Sequence, residues 1–106
     1  TFRQGERMLK VWHEILVPGG KCEMMLPNMT YHIKQWNSRS TKREIKHANA
    51  GFWGWQRGTI DEVWDVHKSG YDKELLIPIV EKHNFIGVRS HAQSTSKHLH
   101  LSFYKK

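Results

Sequence analysis

The chain's architecture depends on residues 16–28, which read Leu16-Val17-Pro18-Gly19-Gly20-Lys21-Cys22-Glu23-Met24-Met25-Leu26-Pro27-Asn28. Pro18 cannot continue a helix, and the two glycines after it tolerate the positive φ angles at which a chain leaves a helix and reverses. Cys22–Leu26 then holds one polar residue, a pattern typical of a strand covered on both faces in a parallel sheet between helices. We therefore predict a turn, a buried strand and a loop at the strand's carboxyl end, where open α/β sheets hold their ligands.

Regular patterns flank this stretch. Apolar residues recur on one helical face before it and again between residues 72 and 83, which predicts two helices. In the second helix, Asp72 is the expected N-cap and Asn84 the expected C-terminal cap. Pro78 is expected to kink this helix or to delay its start to about residue 76. The apolar positions are Met8, Leu9, Trp12, Ile15 and Leu16 in the first helix, and Leu75, Leu76, Ile79 and Val80 in the second. Residues 85–92 and 97–104 alternate and predict a closing antiparallel pair.

The order of these motifs resembles class I (Rossmann-like) S-adenosylmethionine-dependent methyltransferases. The shared features are a helix, Pro-Gly-Gly, a strand and Pro-Asn up to Asn28, then Asp65-Val66-His67-Lys68-Ser69-Gly70-Tyr71, a helix and two closing strands ending in Leu99–Lys105. The resemblance covers nearly the whole chain and matches only the C-terminal half of the family. It implies methyl transfer from S-adenosylmethionine to an acceptor that the residues do not identify. The half with the glycine-rich loop and the acidic residue that hold the cofactor has no counterpart, so no cofactor-binding residue is assigned.

A chain of 106 residues is one domain, and too short for a complete doubly wound methyltransferase. We expect residues 1–106 to form the C-terminal portion of such a fold: an α/β, partial doubly wound sheet ending in an antiparallel strand pair. This piece alone is expected to be inactive and to bind the cofactor weakly. An exposed sheet edge where earlier strands belong would favour a homo-oligomer.

Charge and composition narrow the class of partner. With 17 Lys and Arg against 10 Asp and Glu, the net charge of +7 favours polyanions without identifying one. The single cysteine, Cys22, excludes an internal disulfide and is expected to be a small buried apolar residue. No apolar run approaches the roughly 20 residues that cross a bilayer, and no signal-peptide pattern opens the chain. A cytoplasmic protein without membrane contact is the expectation.

Residues 29–71 are expected to form a basic and aromatic insertion loop, with a short helix over residues 40–48. Its basic part, residues 34–46, is either a solvated loop or a lid over the acceptor. By position after the predicted strand, Asn28 and His32 are candidate acceptor-binding residues, and Trp55, Asp65 and His67 are further candidates from the loop before the second helix. Asp65 and His67 would share one face of an extended segment, either for general-base or orienting work or as a structural hydrogen bond.

Two other functions compete with methyl transfer. His98-Leu99-His100 places two imidazoles on one strand face, as in metal-dependent His-hydrophobe-His nucleases, although His91 would have to join them from the neighbouring strand. Basic residues interleaved with Trp36, Trp53 and Trp55 could combine phosphate contacts with base stacking in a nucleic-acid-binding module. We assign no metal ligand from the sequence.

Overall fold

The structure is a computed structural model that describes residues 1–55, 58, 66–91 and 97–106. Four helices and three strands form within those ranges. They are α1 (Phe2–Ile15), β1 (Lys21–Pro27), α2 (Met29–Ser38), α3 (Lys42–Trp53), α4 (Lys73–Lys82), β2 (Phe85–Ser90) and β3 (His98–Lys105).

The three strands form one sheet in the order β1-β3-β2, and β3 is antiparallel to both of its neighbours. Leu101 lies opposite Met24 of β1 and opposite Ser90 of β2. Because β3 runs against both, β1 and β2 run in the same direction, and the connection through α2, α3 and α4 is a crossover between parallel strands. Such crossovers are built from helices, which is why α/β chains alternate their elements.

The core lies on one face of this sheet. Helices α1 and α4 supply Leu9, Leu76 and Val80, which pack with strand residues that are at most 2% exposed: Phe85, Leu99, Leu101 and Phe103. Phe85 and Phe103 meet edge to face with ring centroids 4.7 Å apart, a favoured aromatic geometry. The alternation of Leu99, Leu101 and Phe103 along β3 directs all three side chains to the helices.

The mixed α/β class and the antiparallel closing pair are confirmed. The prediction that Cys22–Leu26 is covered on both faces and lies in a parallel sheet is wrong in detail, because β1 pairs antiparallel with β3 and its exposure alternates. Met24 packs against the core, whereas the neighbouring Met25 side chain is 64% exposed. The apolar run conceals this alternation because methionine is tolerated on both faces.

Local signals fix the ends of several elements as predicted. The Asp72 carboxylate accepts a hydrogen bond from the Leu75 amide at 2.9 Å, so α4 begins at Lys73. Asn84 follows α4 with φ of 64°, a left-handed conformation that ends helices. Pro78 lies inside α4, so the alternative prediction of a start near residue 76 is wrong. In the turn between α1 and β1, Gly19 has a φ of 74°, the kind of positive angle that the sequence predicts there.

The segment predicted as a basic insertion loop is helical over most of residues 29–53. Asn28 caps α2, and a Thr41–Glu44 capping box begins α3. The helix expected over residues 40–48 therefore begins two residues later, at Lys42, and continues to Trp53. The two helices pack as a hairpin in which Trp36 meets Phe52 edge to face at 5.3 Å. Across the described ranges, no helix combines the length and apolarity required to cross a bilayer.

Candidate functional site

A cavity of about 190 Å³ lies where the α2–α3 hairpin meets the carboxyl end of β1 and the start of β3. Its walls come from parts of the chain that are distant in sequence. The lining residues are Pro27, His32, Gln35, His47, Ala50, Gly51, Trp55, His67, Lys97 and His98. The cavity therefore occupies the position at which open α/β sheets bind ligands, outside the carboxyl end of a strand.

His32 forms the inner wall and is only 6% exposed. Its Nδ1 atom is buried and has no hydrogen-bond partner among the described residues. The ring lies directly against the backbone of α3 at Gly51, where an added Cβ would collide with Nδ1 and come within 3.1 Å of Cγ. Glycine at position 51 therefore lets the two helices approach closely enough to hold this imidazole.

Lys97 and His98 reach the cavity through the pairing of β1 with β3. The Asn28 amide donates a hydrogen bond to the Lys97 carbonyl oxygen at 3.1 Å, and Pro27 lies opposite His98 in the register. On the other side of Asn28, the Met29 amide bonds the Tyr71 carbonyl oxygen at 3.0 Å. These backbone bonds position the cationic side of the cavity beside the start of α2.

The outer wall is aromatic. Trp55 and His47 meet at right angles with ring centroids 5.1 Å apart. The His67 amide donates to the Trp53 carbonyl oxygen at 3.3 Å, which ties residue 67 to the end of α3. These contacts bring two more imidazoles and an indole to the cavity from segments that the sequence separates by up to 20 positions.

The basic side chains of the described lining outnumber its acidic ones. The cavity is lined by one lysine and four histidines, and no acidic residue lies among its described lining residues. Burial lowers the pKa of His32, a contact with Gln35 opposes that shift, and the charges of His67 and Lys97 lower it further. Burial and these charges together disfavour a proton added to His32.

Three of the five residues proposed from sequence line this one cavity: His32, Trp55 and His67. Asn28 lies beside it, 4% exposed, and its side chain accepts a hydrogen bond from the Thr30 amide at 3.2 Å as the cap of α2. Asp65 lies outside the described residues, so its pairing with His67 stays a prediction.

Sequence reasoning missed the contributions of Gln35, His47 and Lys97. Gln35 stands one helical turn after His32, and His47 stands one turn before Gly51, so both could be found by helical spacing once α2 and α3 are recognised. Lys97 carries no local signal, because only the pairing of β3 with β1 brings it to the cavity.

The histidines considered for a nuclease lie in two different places. His98 lines the cavity, whereas the His100 ring lies 4.7 Å from that of His91 on the sheet face away from the core. His91 Nε2 shares a hydrogen bond of 2.7 Å with the Ser102 hydroxyl, and His100 Nε2 is 3.9 Å from the Glu23 carboxylate. No group of three residues suited to holding a metal occurs in the described ranges.

A separate basic surface lies on the α2–α3 hairpin. The Arg39 guanidinium stacks 3.7 Å from the centre of the Trp36 ring and donates to the Trp36 carbonyl oxygen. Along this hairpin, the exposed basic residues are Lys34, Lys42, Arg43 and Lys46.

Against known proteins, this chain has no significant match: none was found with a protein-family model, a curated protein or a solved structure.

Proposed function

We propose that this chain is the C-terminal portion of a class I S-adenosylmethionine-dependent methyltransferase, and that the cavity binds the methyl acceptor. The observation that carries the proposal is the convergence of His32, Trp55 and His67 on one cavity at the carboxyl end of β1. These residues were selected for the acceptor site by their positions after a predicted strand and before a predicted helix.

The topology supports the same proposal. β1 and β2 run in one direction, with helices in the crossover between them, and the last strand is antiparallel to both. The resemblance implies this combination of an α/β sheet with a terminal antiparallel pair. β1 lies at one edge of the sheet that the described strands form, and the proposed homo-oligomer would pair a further strand with this edge.

The cavity suits an acceptor better than it suits the cofactor. S-adenosylmethionine carries a positively charged sulfonium, which the Lys97 ammonium would repel and which no carboxylate among the described lining residues would compensate. The 106 residues also contain no Gly-x-Gly motif with which to hold a nucleotide. We therefore assign no cofactor contact to this chain, whose own residues would bind and orient the acceptor. When bound elsewhere in the complete enzyme, the cofactor supplies the activated methyl group.

The coding region upstream of Thr1 tests this proposal. We expect it to specify a strand followed by a Gly-x-Gly turn, and we expect the protein encoded by the whole region to bind S-adenosylmethionine in calorimetric titration. An upstream region without such a turn, or an encoded protein that does not bind the cofactor, would contradict the proposal.

A nucleic-acid-binding module is the second candidate function. The stacked Arg39–Trp36 pair and the basic residues of the hairpin favour it, because such surfaces combine phosphate contacts with aromatic stacking. Retention on single-stranded DNA that falls steeply with salt, and that is lost in Arg39→Gln, would support this function. Retention no stronger than that of an unrelated protein of equal net charge would contradict it.

A further inference from the structure

We propose that the cavity binds an oxyanion, a phosphate or carboxylate group carried by the ligand. Assigning that oxyanion to the methyl acceptor rests on the proposed function, whereas its binding by Lys97 and the histidines does not. The lining offers an ammonium, imidazoles, the Gln35 amide and the Trp55 indole, and its described residues include no carboxylate.

The chemistry of the lining selects this ligand class. Lysine has donors and no acceptor, and an indole N–H only donates. Hydrogen bonds from charged donors to oxyanions are about twice as strong as neutral ones. A neutral or cationic ligand would leave the positive field of Lys97 unbalanced, whereas an oxyanion compensates it.

Backbone hydrogen bonds hold Lys97 and His67 at the cavity. The Asn28 amide bonds the Lys97 carbonyl oxygen, and the His67 amide bonds the Trp53 carbonyl oxygen. Both bonds use main-chain atoms, so the side chains of Lys97 and His67 can be replaced without removing them. Lys97 and His67 are also exposed residues, so replacing their side chains should have little effect on folding.

Buried His32 gives the site a second, independent feature. His67, Lys97 and His98 line the same cavity as His32, and their charges lower the pKa of His32. Its Nδ1, which has no hydrogen-bond partner among the described residues, is buried against α3. An oxyanion held by the three outer groups would compensate the charges that act on His32.

Histidine NMR resonances provide the readout. Sodium phosphate and sodium acetate are titrated separately into the chain at pH 7, with sodium chloride holding ionic strength constant. We expect saturable shifts of the His32 and His67 ring resonances with at least one of the two anions. Phosphate shifts alone indicate a phosphate-bearing ligand, and acetate shifts alone indicate a carboxylate. Absence of saturable shifts with either anion would overturn the proposal.

Three variants separate a site from general attraction. Lys97→Gln removes the lining ammonium, and Lys34→Gln removes an exposed lysine of α2 that does not line the cavity, so both lower the net charge equally. We expect about tenfold weaker anion binding in Lys97→Gln, because one charge-assisted hydrogen bond is lost. We expect little change in Lys34→Gln. His67→Gln provides a second lining variant, expected to weaken binding severalfold.

Equal weakening by Lys97→Gln and Lys34→Gln would overturn the proposal, because it would show that only net charge matters. These outcomes are distinct from failure of the proposed function, since anion binding is measured without S-adenosylmethionine. If this chain binds phosphate but the protein encoded by the whole coding region does not bind S-adenosylmethionine, the inference of anion binding stands and the proposed function is contradicted.

Discussion

Replacing Gly51 with alanine tests the close packing that holds His32 in the cavity wall. Gly51 lies in α3, and a Cβ placed there collides with His32 Nδ1 and comes within 3.2 Å of Cε1. The neighbour is a rigid ring that is 6% exposed, so it cannot swing away as the end of a flexible side chain could. The substitution therefore combines a steric cost with the higher helix propensity of alanine.

The two terms have different sizes. Alanine is favoured over glycine inside a helix by about 1 kcal/mol. Overpacking a filled site costs about 1–3 kcal/mol. We expect Gly51→Ala to lower the free energy of unfolding by about 1 kcal/mol, the difference between central values of these two terms. In a His32→Ala background the collision is absent, so the same substitution should raise stability by about 1 kcal/mol.

Urea unfolding of the four proteins in this cycle, followed by circular dichroism, measures the coupling. The expected interaction between the two sites is about 2 kcal/mol, within the range for residues in contact. Asn49→Ala provides the control, because Asn49 is an exposed residue of α3 and its replacement should stabilise both backgrounds alike. If Gly51→Ala stabilises the chain equally with and without His32, the packing described here is wrong.

Three further predictions concern pH, the core and the cofactor. Because burial and nearby charges lower the pKa of His32, the unfolded chain binds a proton there more readily than the folded chain, so the His32 contribution to stability is full above about pH 6.5 and falls below it. His32→Gln should flatten this part of a plot of stability against pH, and an unchanged slope would contradict the assignment. Leu101→Ala removes a side chain that is 0% exposed and should cost about 2–5 kcal/mol in urea unfolding, whereas a cost near zero would contradict the core. In calorimetric titration, this chain should bind S-adenosylmethionine with an affinity weaker than about micromolar, which corresponds to about 8 kcal/mol, because its sequence contains no glycine-rich loop for the cofactor. Micromolar binding would show this expectation wrong.

Local signals in the sequence were sufficient for most element boundaries. Pro18 with its following glycines, the Asp72 cap and the left-handed Asn84 act within a few residues, so they can be identified without knowing the tertiary structure. The alternation of Leu99, Leu101 and Phe103 likewise identifies the core face of β3. These features predicted the α/β class and the antiparallel closing pair.

Long-range packing accounts for what sequence reasoning missed. The polar and basic composition of residues 29–38 predicts a loop, yet the Asn28 cap and packing against α3 make them helical. The one-sided burial of β1 depends on which sheet face the helices cover, a property that Met24 and Met25 alone do not reveal.

The residues of the candidate site also fall into two groups, those that local sequence patterns predicted and those that they did not. His32, Trp55 and His67 were identifiable by their place after a strand or before a helix. Lys97 was not, because it enters the cavity only when β3 returns beside β1. The site therefore depends on pairing between residues about 70 positions apart in sequence, which local patterns do not specify.

Methyl transfer itself tests the central claim most directly. The protein encoded by the coding region that contains this chain is incubated with S-adenosylmethionine labelled in its methyl group and with a cell extract as the source of acceptors. We predict label in an anionic acceptor, with the acceptor KM raised about tenfold by Lys97→Gln and little changed by Lys34→Gln. Absence of transfer, or transfer with the same acceptor KM in all three proteins, would contradict the account.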